Sequence, residues 1–227
     1  MKNLDTQGFA IIRGVFTETE LEALRGEADR VARMENSACV RHLRQKSRKF
    51  DQLARSSRLQ ELLPRGVFPV RSILFDKTSS ENWPVTWHQD LTIAVEEKVA
   101  VEGYGPWSRK DGSIHVQPPE GLLEQMVTIR IHLDETPRSN GALRVIPGSH
   151  LNGKIGSKEV LSHVGDSEVV CECEAGDVLL MSPLLLHASK RSEFPKRRRI
   201  IHFEYAAHGS LDKRLSWYEP SPANQTE

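Results

Sequence analysis

The chain has 227 residues, of which 38% are hydrophobic and 27% charged, and its 31 Lys plus Arg are balanced by 31 Asp plus Glu. That composition and length suit a globular chain with a full hydrophobic core and exclude a disordered one. No apolar run approaches the roughly 20 residues of a membrane helix, and zero net charge argues against a sequence-independent nucleic-acid binder, so neither a membrane nor nucleic acid is an expected partner.

In chain order, Gly8-Phe9-Ala10-Ile11-Ile12-Arg13 predicts a short strand. Thr17-Glu18-Thr19-Glu20 is a capping box, and Leu21, Leu24, Ala28 and Val31 follow at helical spacing. The basic stretch from Arg41 to Arg58 predicts a further helix with Leu43, Phe50 and Leu53 as apolar points, ended by Pro64 and Gly66. From Pro69 the pattern turns to strands: Val70 to Phe75, then an extended Pro84 to Val95. The segment from Glu96 to Glu124, with Gly103, Gly105, Pro106, Pro118 and Pro119, reads as a long loop that covers a binding site.

Val127, Ile129, Ile131 and Leu133 alternate with Thr128, Arg130, His132 and Asp134, giving a strand with one apolar and one polar face. Asn140-Gly141 and Pro147-Gly148 mark turns, Val169 to Cys173 and Val178 to Met181 predict strands around Ala175-Gly176-Asp177, and Ile200 to Tyr205 predicts the last one. The expectation is one domain over residues 1–227: helical over 1–66, β-rich over 70–205, with 96–124 as a lid. The polar N-terminus and three cysteines, Cys39, Cys171 and Cys173, predict reduced thiols and a cytoplasmic setting.

The chemistry-bearing motif is Trp87-His88-Gln89-Asp90. Residues two apart on a strand face one side, so His88 and Asp90 can address one point. His187, after Ser182-Pro183-Leu184-Leu185-Leu186, offers a third ligand. Two histidines and a carboxylate on one face form the triad of non-haem Fe(II) oxygenases, which leaves positions open for co-substrate and dioxygen. Taken alone, His-x-Asp fits a solvated strand as well. Of His115, His132, His163 and His202, expected in the core or on the surface, His132 is the strongest rival ligand because it lies on a polar strand face.

A dicarboxylate bound at such a metal needs a cation for its far end, and Arg pairs with a carboxylate in bidentate fashion. Arg197, Arg198 and Arg199 open the last strand, an antiparallel neighbour of the His187 strand if the two form a hairpin. Alternation turns either Arg198 inward or Arg197 and Arg199 inward. Lys77 offers a second cation.

Phe75-Asp76-Lys77, Trp87-His88-Gln89-Asp90-Leu91, Asn140 through His150 (NGALRVIPGSH), Ala175-Gly176-Asp177, His187 and Arg198-Arg199 resemble, in order, the phytanoyl-CoA hydroxylase-like family of Fe(II)/2-oxoglutarate dioxygenases. The resemblance spans about Val70 to Tyr205. It implies a mainly β fold, a double-stranded β-helix (jelly-roll, cupin-like) with flanking N-terminal α-helices. It implies that His88, Asp90 and His187 bind Fe(II). By the family's spacing from the distal histidine, Arg198 anchors 2-oxoglutarate, with Arg199 the fallback if the register slips by one. The resemblance also places Lys77 with the co-substrate and Arg130 near the pocket. As inward polar residues, Thr128 is assigned to the co-substrate and Gln117 to the substrate, while Trp107 either contacts substrate or packs as a lid aromatic on the barrel rim.

The retained carboxylate of Asp90 argues against halogenation, since the halogenating relatives replace it. The implied reaction consumes 2-oxoglutarate and O2, hydroxylates a C–H bond of a small molecule, and releases succinate and CO2. The competing expectation is a non-catalytic β-barrel that binds a small molecule or metal. The chain is expected to act as a monomer or homodimer.

Overall fold

A short helix α1 (Lys2–Gln7) and strand β1 (Phe9–Ile12) lead to the longest helix, α2 (Glu18–Glu35). In this computed structural model, which describes residues 2–165, 167–193 and 196–219, α2 begins at the expected capping box. The Thr17 hydroxyl accepts from Glu20 N at 3.4 Å, and the Glu20 carboxylate accepts from Thr17 N at 2.9 Å. Asn36 ends the helix with φ 47, the left-handed turn that Asn tolerates. Leu21, Leu24, Ala28 and Val31 are buried as one stripe, each leucine contributing about 1.5–3 kcal/mol by its removal from water.

The single helix expected over Arg41 to Arg58 is broken into pieces. Strand β2 (Cys39–Arg41) precedes three short helices, α3 (Leu43–Lys46), α4 (Arg48–Ala54) and α5 (Ser57–Gln60). The cause is local: Ser47 and Ser56 have extended backbones, and their hydroxyls accept from Phe50 N and Leu59 N, restarting the helix twice.

The strands follow: β3 (Val67–Lys77), β4 (Val85–His88), β5 (Ile93–Val95), β6 (Trp107–Lys110) and β7 (Ser113–Val116). After helix α6 (Glu120–Glu124) come β8 (Val127–His132), β9 (Leu143–Val145), β10 (Val169–Cys171), β11 (Val178–Met181), β12 (His187–Ser189) and β13 (Arg198–Ala207). A six-stranded sheet has the order β1-β11-β8-β13-β3-β2 and a four-stranded sheet the order β10-β9-β12-β4. These antiparallel sheets form the expected double-stranded β-helix.

One face of the larger sheet (Leu74, Ile129, Ile131, Ile201, Phe203) joins the helical residues in the main core. Period-two alternation therefore turns Lys77, Arg130, Arg198 and His202 to the other face, where they line a cavity. Arg198 pairs with Lys77, Ile200 with Phe75, His202 with Ile73 and Glu204 with Arg71 along the β3–β13 ladder.

The His187 strand and the last strand do not form a hairpin. β12 pairs with β4 and β9, whereas β13 pairs with β3 and β8 in the other sheet. The chain switches sheets between them, as closure of a jelly roll demands.

The 96–124 segment is not a structureless loop. β6 and β7 form a hairpin turned at Asp111-Gly112, both with positive φ (46 and 81), and β7 pairs with β5. Arg41 on β2 makes an ion pair with Asp111, holding the hairpin tip against the edge of the large sheet. Among the described residues, no helix is long and apolar enough to cross a membrane.

Candidate active site

β4 ends at His88, which is the Cα partner of His187 at the start of β12. Asp90 lies beyond β4, and its N–H donates to Pro183 O at 2.8 Å, which fixes it where the chain enters the turn before His187. His88 Nδ1 lies 2.8 Å from Thr86 O and His187 Nδ1 lies 2.8 Å from Leu185 O. A carbonyl only accepts, so each Nδ1 carries the proton and each Nε2 presents a lone pair. These two Nε2 atoms stand 3.7 and 3.6 Å from the carboxylate oxygens of Asp90. The three ligand atoms lie within 4.8 Å of one another.

Burial pushes the His187 imidazole down to about 4, even against the opposing pull of Asp90. Burial raises the Asp90 carboxyl, but His187 and His88 outweigh it and hold the group below the usual carboxylate range. A carboxylate beside imidazoles with free Nε2 lone pairs is the donor set that a divalent transition metal takes up without displacing protons. The backbone carbonyls behind both rings are the outer-shell partners that orient metal-bound histidines. The residues therefore fit Fe(II).

The triad opens onto a cavity of about 440 Å³. Its floor carries two guanidinium groups with no ion pair among the described residues. Arg198 donates to Gly141 O, and burial followed by the neighbouring Arg130 pushes its pKa down to about 10. Arg130 lies 3.2 Å from His202 Nδ1 and 5.6 Å from the centre of the Phe75 ring, and burial lowers its pKa too. Lys77 donates to Trp83 O at 2.5 Å and sits over the Trp83 ring. Burial, Arg198 and Arg130 push Lys77 down to about 7. Buried cations without counter-charges are costly unless a ligand neutralises them, so this end of the cavity is built for an anion.

Of the residues singled out by sequence, His88, Asp90, His187, Arg198, Lys77, Arg130 and Gln117 line this one cavity. Arg199 does not. It faces the helical side, where Asp134 and Asp29 neutralise it at 2.7 and 3.0 Å. Thr128 is fully buried and does not reach the lining, and Trp107 packs with the apolar cluster around Val116 and Leu122. The rival ligand His132 is buried with Nδ1 2.8 Å from Thr136 Oγ1, pushed down to about 3 by burial and then Arg130, and lies outside the triad. His150 reaches Asp5 O at 3.2 Å, a contact with the backbone after α1 begins.

Sequence reasoning missed Arg71, His202 and Glu204. All three follow from alternation: Arg71 shares the strand face of Lys77, and His202 and Glu204 that of Arg198. Because Arg130 only donates, His202 Nδ1 accepts, and Nε2–H points to Glu204 Oε1 at 3.2 Å. Glu204 in turn meets Arg71 at 3.0 Å.

The family model described as phytanoyl-CoA dioxygenase (PhyH) matches residues 4–200. No curated protein matches the chain. Among solved structures, HygX from Streptomyces hygroscopicus, with nickel and 2-oxoglutarate bound, is similar at 18% identity over 91% of this chain and 85% of that one, with a TM-score of 0.66. AviO1 from Streptomyces viridochromogenes Tue57 is 21% identical over 93% of this chain and 95% of that one, with a TM-score of 0.67. The epimerase SnoN, in complex with Fe3+, alpha ketoglutarate and nogalamycin RO, is 16% identical over 91% and 81%, with a TM-score of 0.70. At these identities the likeness is one of fold.

Proposed function

The chain belongs to the phytanoyl-CoA dioxygenase family, and from that premise we propose that this Fe(II)- and 2-oxoglutarate-dependent oxygenase hydroxylates an unactivated C–H bond of a small molecule, releasing succinate and CO2. The observation that carries the reading is the convergence of two Nε2 lone pairs on the Asp90 carboxylate at 3.7 and 3.6 Å. The uncompensated cations Arg198 and Lys77 in the same cavity support it, since they suit the distal carboxylate of the co-substrate.

In this reading His88, Asp90 and His187 would hold the iron. Bound iron supplies the oxidising chemistry that couples dioxygen and 2-oxoglutarate to cleavage of the C–H bond. Arg198 and Lys77 bind the distal carboxylate and so orient the co-substrate. Phe75, Ile200 and Ile73 present apolar surface along the cavity floor and exclude water. The Arg130–His202–Glu204–Arg71 chain of contacts keeps its polar members fixed on that floor.

The test is succinate formation from 2-oxoglutarate with Fe(II), ascorbate and air, combined with a metabolite screen for a hydroxylated product. Succinate that depends on Fe(II) and on Asp90 is expected. Tight 2-oxoglutarate binding with no succinate under any substrate would mean a non-catalytic barrel, and a product without added oxygen would replace hydroxylation by another outcome of the same oxidation.

A further inference from the structure

Six basic side chains line the cavity (Arg41, Arg71, Lys77, Lys110, Arg130 and Arg198) against two carboxylates, Asp90 and Glu204. A divalent metal and a dianionic co-substrate cancel one another, so loading the site leaves the positive excess in place. Charge of one sign in a partly dry cavity raises the local concentration of the opposite sign and favours its binding.

The excess lies at two ends. Along the β3–β13 ladder, the Lys77–Arg198 row is separated from the Arg71–Glu204 row by six residues of β3, roughly 20 Å at about 3.3 Å per residue. 2-Oxoglutarate is too short to reach both. At the second end Arg71 uses one nitrogen, Nη1, for Glu204 Oε1 at 3.0 Å and Thr92 O at 3.2 Å. Its Nε and Nη2 have no partner among the described residues. Lys110, the last residue of β6, makes no ion pair or side-chain hydrogen bond there, and burial together with Arg71 and Arg41 lowers its pKa. A guanidinium from β3 and an ammonium from β6 thus line one end of the cavity with donors unspent.

We propose that the substrate carries an anionic group, a phosphate or a carboxylate, that docks on Lys110 and Arg71 while its reacting carbon lies at the His88–Asp90–His187 centre. The proposal rests on the oxygenase reading above and names the class of substrate that reading leaves open. It disfavours a cationic substrate, which would meet Lys110 and Arg71 head on.

The experiment is calorimetric and needs no turnover. Protein loaded with Zn(II) and saturating 2-oxoglutarate is titrated with phenyl phosphate, benzoate and, as the cationic control, benzylamine. Phenyl phosphate or benzoate is expected to bind and benzylamine not to, and the tighter of the two anions identifies the group. Lys110→Gln, at an exposed position, is expected to weaken that binding about tenfold or more while 2-oxoglutarate affinity stays unchanged. Benzylamine binding best, or anion binding that Lys110→Gln leaves intact, overturns the proposal. Failure of both anions on protein that does bind 2-oxoglutarate overturns the proposal alone, whereas failure of 2-oxoglutarate itself overturns the oxygenase reading with it.

Discussion

The carbonyl of Gly141 receives Nη1 of Arg198, and a Cβ built on Gly141 would stand 3.1 Å from that same nitrogen and 2.6 Å from Lys190 O. Gly141 has φ +68, a conformation open to glycine at little cost. The turn after Asn140 therefore seats a cavity guanidinium as well as reversing the chain. Gly141→Ala is expected to raise the 2-oxoglutarate KM about tenfold and to cost about 1–2 kcal/mol through the left-handed backbone. Steady-state kinetics and a thermal melt check the two parts, and an unchanged KM would separate the turn from the anchor.

Adjacent arginines give a sharper contrast. Arg198→Ala removes a charge-assisted carboxylate contact, worth about 1.5–3 kcal/mol, so the 2-oxoglutarate KM is expected to rise roughly 10- to 100-fold at little cost in stability. Arg199→Ala takes the bidentate partner from Asp134, leaving it Arg25 at 3.5 Å, and leaves Asp29 with Arg197 alone at 2.7 Å; it is expected to cost about 1–2 kcal/mol of stability with KM unchanged. Swapped phenotypes would mean that the strand register is off by one.

These two residues show how far the sequence was legible. Alternation separates 198 from 199 but does not say which faces inward; the apolar residues Ile201 and Phe203 on the face of Arg199 could have settled it, since they belong to the main core. The triad was readable because His-x-Asp and a distal His are short motifs at recognisable places. What failed were long-range pairings. The sheet switch between β12 and β13 and the folding of the β6–β7 hairpin onto β2 depend on closure of the whole jelly roll, which no local period encodes. The Asp111-Gly112 turn signal lies inside a segment whose other glycines and prolines read as a loop. Short side-chain caps at Ser47 and Ser56 likewise override a helical pattern that looks continuous by hydrophobic spacing alone.

Lys77 predicts a pH dependence. Its folded pKa is about 7, below the usual lysine value, because burial and two guanidinium groups penalise the ammonium. Below pH 7 both folded and unfolded chains hold the proton, and the folded state bears that penalty. From pH 7 up to the ordinary lysine range the unfolded state binds more protons, so metal-free, ligand-free protein gains stability as pH rises through this window. Co-substrate binding has the opposite sign: a carboxylate favours the ammonium, so 2-oxoglutarate affinity is expected to fall above pH 7, by up to about tenfold per unit. Lys77→Met is expected to flatten both profiles, measured by melts and by calorimetry in buffers of differing ionisation enthalpy. A wild-type affinity that does not vary between roughly pH 6.5 and 8.5 would show that Lys77 does not meet the co-substrate.

Metal dependence tests the centre itself. Asp90 lies outside any strand, is half-buried, and is fixed by its backbone N–H to Pro183 O, so Asp90→Ala is expected to leave the metal-free melting temperature nearly unchanged. The metal-bound protein should differ. A ligand at 100 times its Kd stabilises the folded state by about 2.7 kcal/mol, so Zn(II) or Fe(II) under anaerobic conditions is expected to raise the wild-type melting temperature by several degrees. Removing the carboxylate leaves two imidazoles whose Nε2 atoms no longer share an anionic partner, and affinity should drop by more than the roughly 10- to 100-fold that an outer-shell loss costs. The metal-induced rise should then vanish at metal concentrations that saturate the wild type, together with Fe(II)-dependent succinate. A variant that keeps the full rise would place the ion on other side chains and detach His88 and His187 from it.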